Sequence, residues 1–143
     1  MSALSAAAFL VMVLGLVLQY WLHRLLSSSP VVIAVQVAAV LTMVWARVTF
    51  GRRSFHATAG PTEGGLVTTG PYRFVRHPIY ASVCWFSAAG AAAFHDLPAL
   101  LCVTLVVLGA LTRMGLEERL LAARYPEYRA YAARTARMIP GVF

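Results

Sequence analysis

Residues 3–22 read ALSAAAFLVMVLGLVLQYWL, a run of 20 residues without a charged side chain. At about 1.5 Å per residue, a helix of this length crosses the hydrocarbon layer of a bilayer, which is about 30 Å thick. The run lacks the basic start and the short apolar stretch of a secretory signal peptide. It therefore predicts a transmembrane helix, with Tyr20 and Trp21 at a membrane–water boundary.

Three further apolar segments follow along the chain. They cover about residues 30–50, 78–94 and 98–114. Each begins at a proline, which suits the first turn of a helix because no helical hydrogen bond is lost there. His95 and Asp96 separate the last two segments, which are therefore predicted to form a tight helical hairpin.

The predicted fold class is an all-α integral membrane protein with four transmembrane helices. One domain covers residues 1–143, with a turn-rich loop at 51–77 and an amphipathic helical tail at 115–143. The composition agrees with this class, because 60% of the residues are hydrophobic and 12% are charged. Soluble globular domains carry about twice that share of charged residues.

The 12 basic residues are all arginines, and their positions predict the orientation in the membrane. Eleven of them lie between 47 and 77 or from residue 113 onward, and only Arg24 lies at the other end of the helices. Cytoplasmic segments carry the excess of positive charge, so both termini and the central loop are expected in the cytoplasm. Because the arginines flank apolar segments, the net charge of +7 does not indicate a nucleic-acid partner.

Polar side chains concentrate at 70–80 and 117–137, which this topology places at the same membrane face. Pro78 disfavours the α conformation for His77, so His77 is expected at the entry of the third helix with an extended backbone. The amides of a helix start suit a carboxylate ligand. Alternatively, Arg76 and His77 only anchor the helix at lipid headgroups.

Two adjacent glutamates begin the second polar stretch. Arg113 and Glu117 share a helix face, whereas Glu118 is turned about 100° away, so the two carboxylates are expected to serve different purposes. An acidic pair is unusual beside a membrane whose anionic headgroups favour arginine. The alternative is a solvated helix face.

The tail after Met114 is expected to continue the fourth helix out of the bilayer as far as Arg124. A second, short helix is then predicted to begin at Pro126 and to end before Pro140. One face of this helix is polar and aromatic and carries Glu127, Tyr128, Tyr131, Arg134, Thr135 and Met138. A helix lying on the membrane, the alternative interpretation, usually presents Leu or Trp to the lipid.

Taken in order, these motifs resemble the isoprenylcysteine carboxyl methyltransferase and phospholipid methyltransferase superfamily. They are G-P-Y-R-x-x-R-H-P-x-Y, a hydrophobic hairpin, E-E-x-x-L, Y-x-x-Y-x-x-R and a closing I-P-G, and they cover residues 70–141. The resemblance implies a small bacterial enzyme of the inner membrane that uses S-adenosylmethionine. It also implies a lipophilic or lipidated methyl acceptor and contact with membrane lipids.

The resemblance further implies roles for individual residues. The residues expected to bind the cofactor are Tyr72, Arg76, His77, Pro78, Tyr80, Glu117, Glu118 and Tyr128. The candidate catalytic residues are Arg134, Tyr131 and Glu127, and no metal site is expected. Arg134 would orient an acceptor carboxylate, whereas an amine or thiol acceptor would need a base such as Glu127, Glu118 or His77.

Three other functions compete with this one. A phospholipid N-methyltransferase is the main alternative. A small four-helix transporter would need an ionisable group within its spans, and before Arg113 the four spans contain only Arg47, at an edge. A membrane sterol reductase would be larger and would use a nicotinamide cofactor, for which the chain has no G-x-G-x-x-G motif.

Overall fold

The computed structural model describes residues 3–51 and 65–143, and this part of the chain is helical, as predicted. Its elements are α1 (Ala3–Trp21), α2 (Pro30–Phe50), a 3-10 turn (Gly70–Arg73), α3 (Pro78–Ala92), α4 (Leu97–Arg124) and α5 (Tyr128–Arg134). Residues 52–64 of the predicted loop lie outside the described residues. Within the described ranges there is no β-strand, only an isolated bridge between Val75 and Ala136.

Three of the described helices, α1, α2 and α4, are long and apolar enough to cross a membrane. α3 has 15 residues, a length of about 22 Å, because the chain turns at Ala93 and Phe94 and His95 adopts a positive φ of 52°. It ends two residues before the predicted boundary at 94. α4 continues beyond the span at 98–114 as one helix to Arg124, as predicted.

The helices pack in the order α1, α4, α3, α2, so the two helices that come first in the sequence pack chiefly against different partners. Small residues allow α1 and α4 to approach closely. A Cβ atom added to Gly109 would lie 2.6 Å from the carbonyl oxygen of Ala8, and one added to Gly15 would lie 2.9 Å from that of Cys102. Close backbone approach of this kind is a common basis of helix association in membranes, where van der Waals packing must replace the hydrophobic effect.

Two buried glutamines join the helices inside the bundle. The Gln19 amide donates a hydrogen bond of 2.9 Å to the Ser87 carbonyl and accepts one of 2.6 Å from the Ser87 hydroxyl. The Gln36 amide donates to the carbonyl groups of Leu25 and Phe86 at 2.7 and 3.2 Å. Because water is absent from the hydrocarbon layer, such partners offset the cost of burying amide groups.

At the end of the bundle where α4 begins, Arg24 and Asp96 form an ion pair of 2.5 Å. Asp96 also caps α4 by accepting a hydrogen bond of 2.9 Å from the Ala99 amide. This backbone hydrogen bond, together with the Arg24 guanidinium, lowers the pKa of Asp96 below its usual value. Arg24 is therefore paired with the residue that caps the start of α4.

The predicted C-terminal helix is shorter than expected. α5 ends at Arg134, and Thr135 is extended, so the prediction that it continues almost to Pro140 is wrong. The physical reason is a long-range pairing: the Arg76 and His77 amides donate to the carbonyl groups of Ala136 and Arg137 at 2.7 and 3.0 Å. These contacts hold the chain after α5 extended beside the entry of α3.

Gly109→Ala is expected to destabilise the protein, because its new methyl group would meet the backbone of α1. Overpacking of this kind costs roughly 1–3 kcal/mol. The matched control is Gly115→Ala in the same helix, where nothing lies within 4 Å of the added Cβ. Thermal unfolding in detergent should show a lower midpoint for Gly109→Ala and an equal or higher one for Gly115→Ala. Equal shifts in both variants would contradict the close α1–α4 approach.

Candidate active site

The Glu118 carboxylate lies at the centre of a cluster formed by two arginines and a histidine. Arg137 Nη2 lies 2.7 Å from Oε2, Arg76 Nε lies 3.1 Å from Oε1, and His77 Nε2 lies 3.2 Å from Oε1. Burial opposes ionisation of this group, but the hydrogen bonds from His77, Arg137 and Arg76 prevail and lower the pKa of Glu118 to about 2. Glu118 is therefore ionised at neutral pH. It lies beyond the uncharged part of α4, which ends at Thr112.

Glu117 has a different set of partners, as the helical spacing predicted. It accepts a short hydrogen bond from the Tyr80 hydroxyl, and Arg113 Nη2 lies 3.4 Å from its Oε1. His77 Nδ1 lies 3.8 Å from its other oxygen, so the His77 ring stands between the two carboxylates. Pro78 starts α3 and holds His77 outside the α region, at φ −125° and ψ 57°, which places the ring at this position.

Arg113 connects this cluster to the first helix. Its side chain is 4% exposed and donates hydrogen bonds to the Tyr80 hydroxyl at 2.7 Å and the Ser5 carbonyl at 3.3 Å. Its guanidinium also lies 5.2 Å from the centre of the Phe9 ring, a cation–π distance. The spacing predicted that Arg113 would neighbour Glu117, but nothing in the sequence indicated that α1 supplies its other contacts.

α5 covers the cluster and is held by two residues of the loop before α3. The Tyr131 hydroxyl donates a hydrogen bond of 2.6 Å to the Tyr72 carbonyl. Arg76 Nη1 donates to the carbonyl groups of Ala132, at 2.9 Å, and Thr135, at a shorter distance. Both contacts join segments about 60 residues apart in the chain. They order the end of α5 against the loop that ends in Arg76-His77-Pro78, called the R-H-P loop below.

Tyr128 is 4% exposed, and its buried hydroxyl has no hydrogen-bond partner among the described residues. Burial raises the pKa of both Tyr128 and Tyr131 to about 12, so each keeps its proton at neutral pH. Leaving a buried hydroxyl unpaired costs about 1–3 kcal/mol, and such groups are uncommon in folded proteins. The Tyr128 hydroxyl is therefore a donor that a polar ligand of this site could use.

The structure brings most of the predicted site residues together, with two exceptions. Arg76, His77, Tyr80, Glu117 and Glu118 form one contiguous network, while Tyr72, Pro78, Tyr128 and Tyr131 position it or lie against it. Glu127 and Arg134 are on the exposed side of α5, and Glu127 makes no side-chain cap to this helix.

Arg137 is the member of the site that sequence reasoning missed, because its only visible signal was its contribution to the positive charge of the tail. Within the described residues, no group of three or more His, Cys, Asp or Glu side chains is arranged to hold a metal ion.

The fold and the site define a small helical membrane protein in which most of the described ionised side chains lie at one end of the apolar helices, with the Arg24–Asp96 pair at the other. The sequence model of the isoprenylcysteine carboxyl methyltransferase (ICMT) family matches residues 30–123, and the chain belongs to this family. The matched region contains α2, α3, Arg76, His77 and both glutamates. The chain is thus an integral membrane protein of a methyltransferase family.

One curated protein similar to this chain is the cobalt-zinc-cadmium resistance protein CzcN of Cupriavidus metallidurans. The two are 36% identical over 87 residues, which are 57% of this chain and 38% of CzcN. The chain therefore covers less than half of the length of this relative. No solved structure matches the chain.

The cationic cluster around Glu118 predicts how stability depends on pH. Because the pKa of Glu118 is lowered in the folded protein, its stabilising contribution is complete above its ordinary pKa of 4.5 and declines as pH falls toward 2. Thermal unfolding in detergent between pH 5 and pH 3 should show a falling midpoint, and Glu118→Gln should show a flatter decline from a lower starting value.

The matched control is Glu127→Gln, which removes an exposed carboxylate and should follow the wild-type curve. A decline in Glu118→Gln as steep as in the wild type would contradict the electrostatic role of this residue.

Proposed function

We propose that the protein transfers a methyl group from S-adenosylmethionine to a lipophilic acceptor at the cytoplasmic face of the membrane. The observation that supports this most strongly is the pair of differently partnered carboxylates, Glu117 and Glu118, with the His77 ring between them. This cluster lies within the region that matches the methyltransferase family. It also adjoins the buried Tyr128 hydroxyl, whose O–H donates no hydrogen bond to any other described residue.

In the proposed topology four helices cross the membrane: α1, α2 and α4, which are long enough to span it, and also the shorter α3. α3 packs between α2 and α4, both of which are long enough to span, and its short length can be accommodated by tilt or local thinning of the bilayer. Along α4, Asp96 and Glu117 are separated by about 20 residues, which corresponds to about 30 Å. In this topology the Arg24–Asp96 pair and the site lie at opposite membrane faces. The excess of arginine at the end that carries the site indicates that this end faces the cytoplasm. The proposed location is a bacterial inner membrane.

The chemistry of the side chains fits S-adenosylmethionine. Glu117 and Glu118 could pair with its amino group or its ribose hydroxyls, and Arg76 or His77 with its carboxylate. The Tyr128 hydroxyl offers one further donor, and the ring of Tyr80 or Tyr72 can face a sulfonium. When bound, the cofactor supplies an activated methyl group. Pro78 contributes indirectly, because it fixes the position of His77.

Positioning and exclusion of water would be the main contribution of the protein itself. Tyr131 ties α5 over the cluster, and Arg134, at the end of α5, is free to orient an acceptor carboxylate. A carboxylate is already a nucleophile at neutral pH and needs no base. An amine or thiol acceptor would need one, and Glu118 is a poor candidate because its pKa is about 2. Glu127 or His77 would then have to accept the proton.

Binding of the cofactor is the first measurement that tests this proposal. Calorimetry on the purified protein should show one site per chain for S-adenosylmethionine or its demethylated product. His77→Ala and Glu117→Ala should each weaken binding by about 1–3 kcal/mol, because each removes a charge-assisted contact. Arg129→Gln, an exposed change on α5, should bind like the wild type. The absence of binding by the wild type, or normal binding by both site variants, would refute the cofactor assignment.

The transfer reaction can be followed with a cofactor that carries a deuterated methyl group. Mass spectrometry of membrane lipids and small molecules should show the label on a lipophilic product only when active protein is present. For a carboxylate acceptor we expect a rate that changes little between about pH 6 and 9, and a strong loss in Arg134→Lys, since a point charge replaces a bidentate fork. Label on a phospholipid amine, with a rate that rises with pH and a fully active Arg134→Lys, would identify a phospholipid N-methyltransferase instead.

A further inference from the structure

Beside the cluster, a concavity of about 500 Å³ opens between the R-H-P loop and the chain after α5. Its lining includes Arg76, Arg134, Arg137, Phe74, Val142 and Phe143. Three of these side chains are cationic, and among the described residues the lining contains no acidic side chain. Glu118 pairs with Arg76 and Arg137 and offsets part of this charge. The lining of the concavity therefore carries a net positive charge.

The arginines of this concavity are not equally engaged. Arg76 binds Glu118 and the α5 carbonyl groups, and Arg137 donates to Glu118 from Nε and Nη2. Arg134 makes neither a hydrogen bond nor an ion pair with another described residue, and it is exposed. Among the described residues, the Arg134 guanidinium and one terminal nitrogen of Arg137 are therefore not engaged and can bind a ligand. An arginine fork suits a tetrahedral phosphate or a planar carboxylate.

The rim of the concavity is apolar and unusually exposed. Val142 is 79% exposed, Phe74 50% and Phe143 44%, and all three lie outside the helices that could span the membrane. Exposed aromatic and aliphatic side chains beside free arginines are the combination by which interfacial segments bind a bilayer that contains anionic lipids. The adjoining apolar helices keep this surface next to a membrane at all times.

We propose that this concavity, formed by Arg134 and Arg137 with Phe74, Val142 and Phe143, binds the phosphate headgroup of an anionic membrane phospholipid. The guanidinium groups bind the phosphate, while the apolar rim contacts the acyl region below it. Since Arg137 also holds Glu118, the bound lipid orders the chain after α5 against the cluster. Lipid binding can be measured without turnover. Because Arg134 is also proposed to orient an acceptor carboxylate, such an acceptor would compete with the lipid phosphate for this side chain.

The test uses the full-length protein in detergent, titrated with phosphatidylglycerol or phosphatidylcholine and followed by native mass spectrometry. The wild type should bind phosphatidylglycerol more tightly than phosphatidylcholine. Arg134→Gln should weaken phosphatidylglycerol binding by about fivefold, the expected effect of one arginine near an anionic lipid. The matched control is Arg129→Gln, which removes the same charge from the same helix outside the concavity and should bind as the wild type does.

Two further experiments test whether the site binds free phosphate or the cofactor product instead of a lipid. Titration with inorganic phosphate should displace little of the lipid, and saturation with the demethylated cofactor should leave lipid binding intact. Val142→Asn, which keeps every charge, should also weaken binding if the rim contacts the lipid. Equal losses in Arg134→Gln and Arg129→Gln, displacement by millimolar phosphate, or loss of lipid binding with the cofactor product present would each overturn the proposal.

Discussion

The ionised carboxylate of Glu118 is the constraint on which the arrangement of the site depends. Two separate segments supply its hydrogen-bond partners: the loop before α3 with Arg76 and His77, and the chain after α5 with Arg137. Taking so many charges out of water is unfavourable unless each one is paired and hydrogen-bonded. The geometry meets this condition, since Glu118 is 14% exposed and both of its oxygens accept hydrogen bonds. One glutamate thus joins the middle and the end of the chain.

The first helix takes part in this arrangement although it lies outside the region that matches the family. Arg113 is buried between α1, α3 and Glu117, and its contacts to Ser5 and Phe9 come from α1. At the other end of the same helix, Gln19 pairs with Ser87 of α3. α1 is therefore fixed to the bundle by polar contacts near both ends, and close packing against α4 lies between them.

Much of the architecture could be predicted because hydropathy and proline positions are local signals. The starts of α2 and α3 at Pro30 and Pro78 needed only short windows of sequence. The C-terminal helix was predicted too long because its end is decided by Val75 and Ala136, which pair across 61 positions. Arg137 was missed as a site residue for the same reason, since the pairing of residues 136–137 with 76–77 brings it to Glu118. Helical periodicity correctly separated Glu117 from Glu118, because that relation is set within one turn of α4.

The packing order of the helices has a consequence for biogenesis. α1 and α2 leave the ribosome first, but each completes its buried face only against a helix of the later hairpin, α4 or α3. The connection between them also fits tightly onto this hairpin, since a Cβ at Gly90 would collide with the Leu25 carbonyl. Until α3 has packed against them, Gln19 and Gln36 lack their partners Ser87 and Phe86 and keep only their hydrogen bonds to the Arg24 and Leu25 carbonyl groups. The bundle is therefore completed late, when the α3–α4 hairpin packs between α1 and α2.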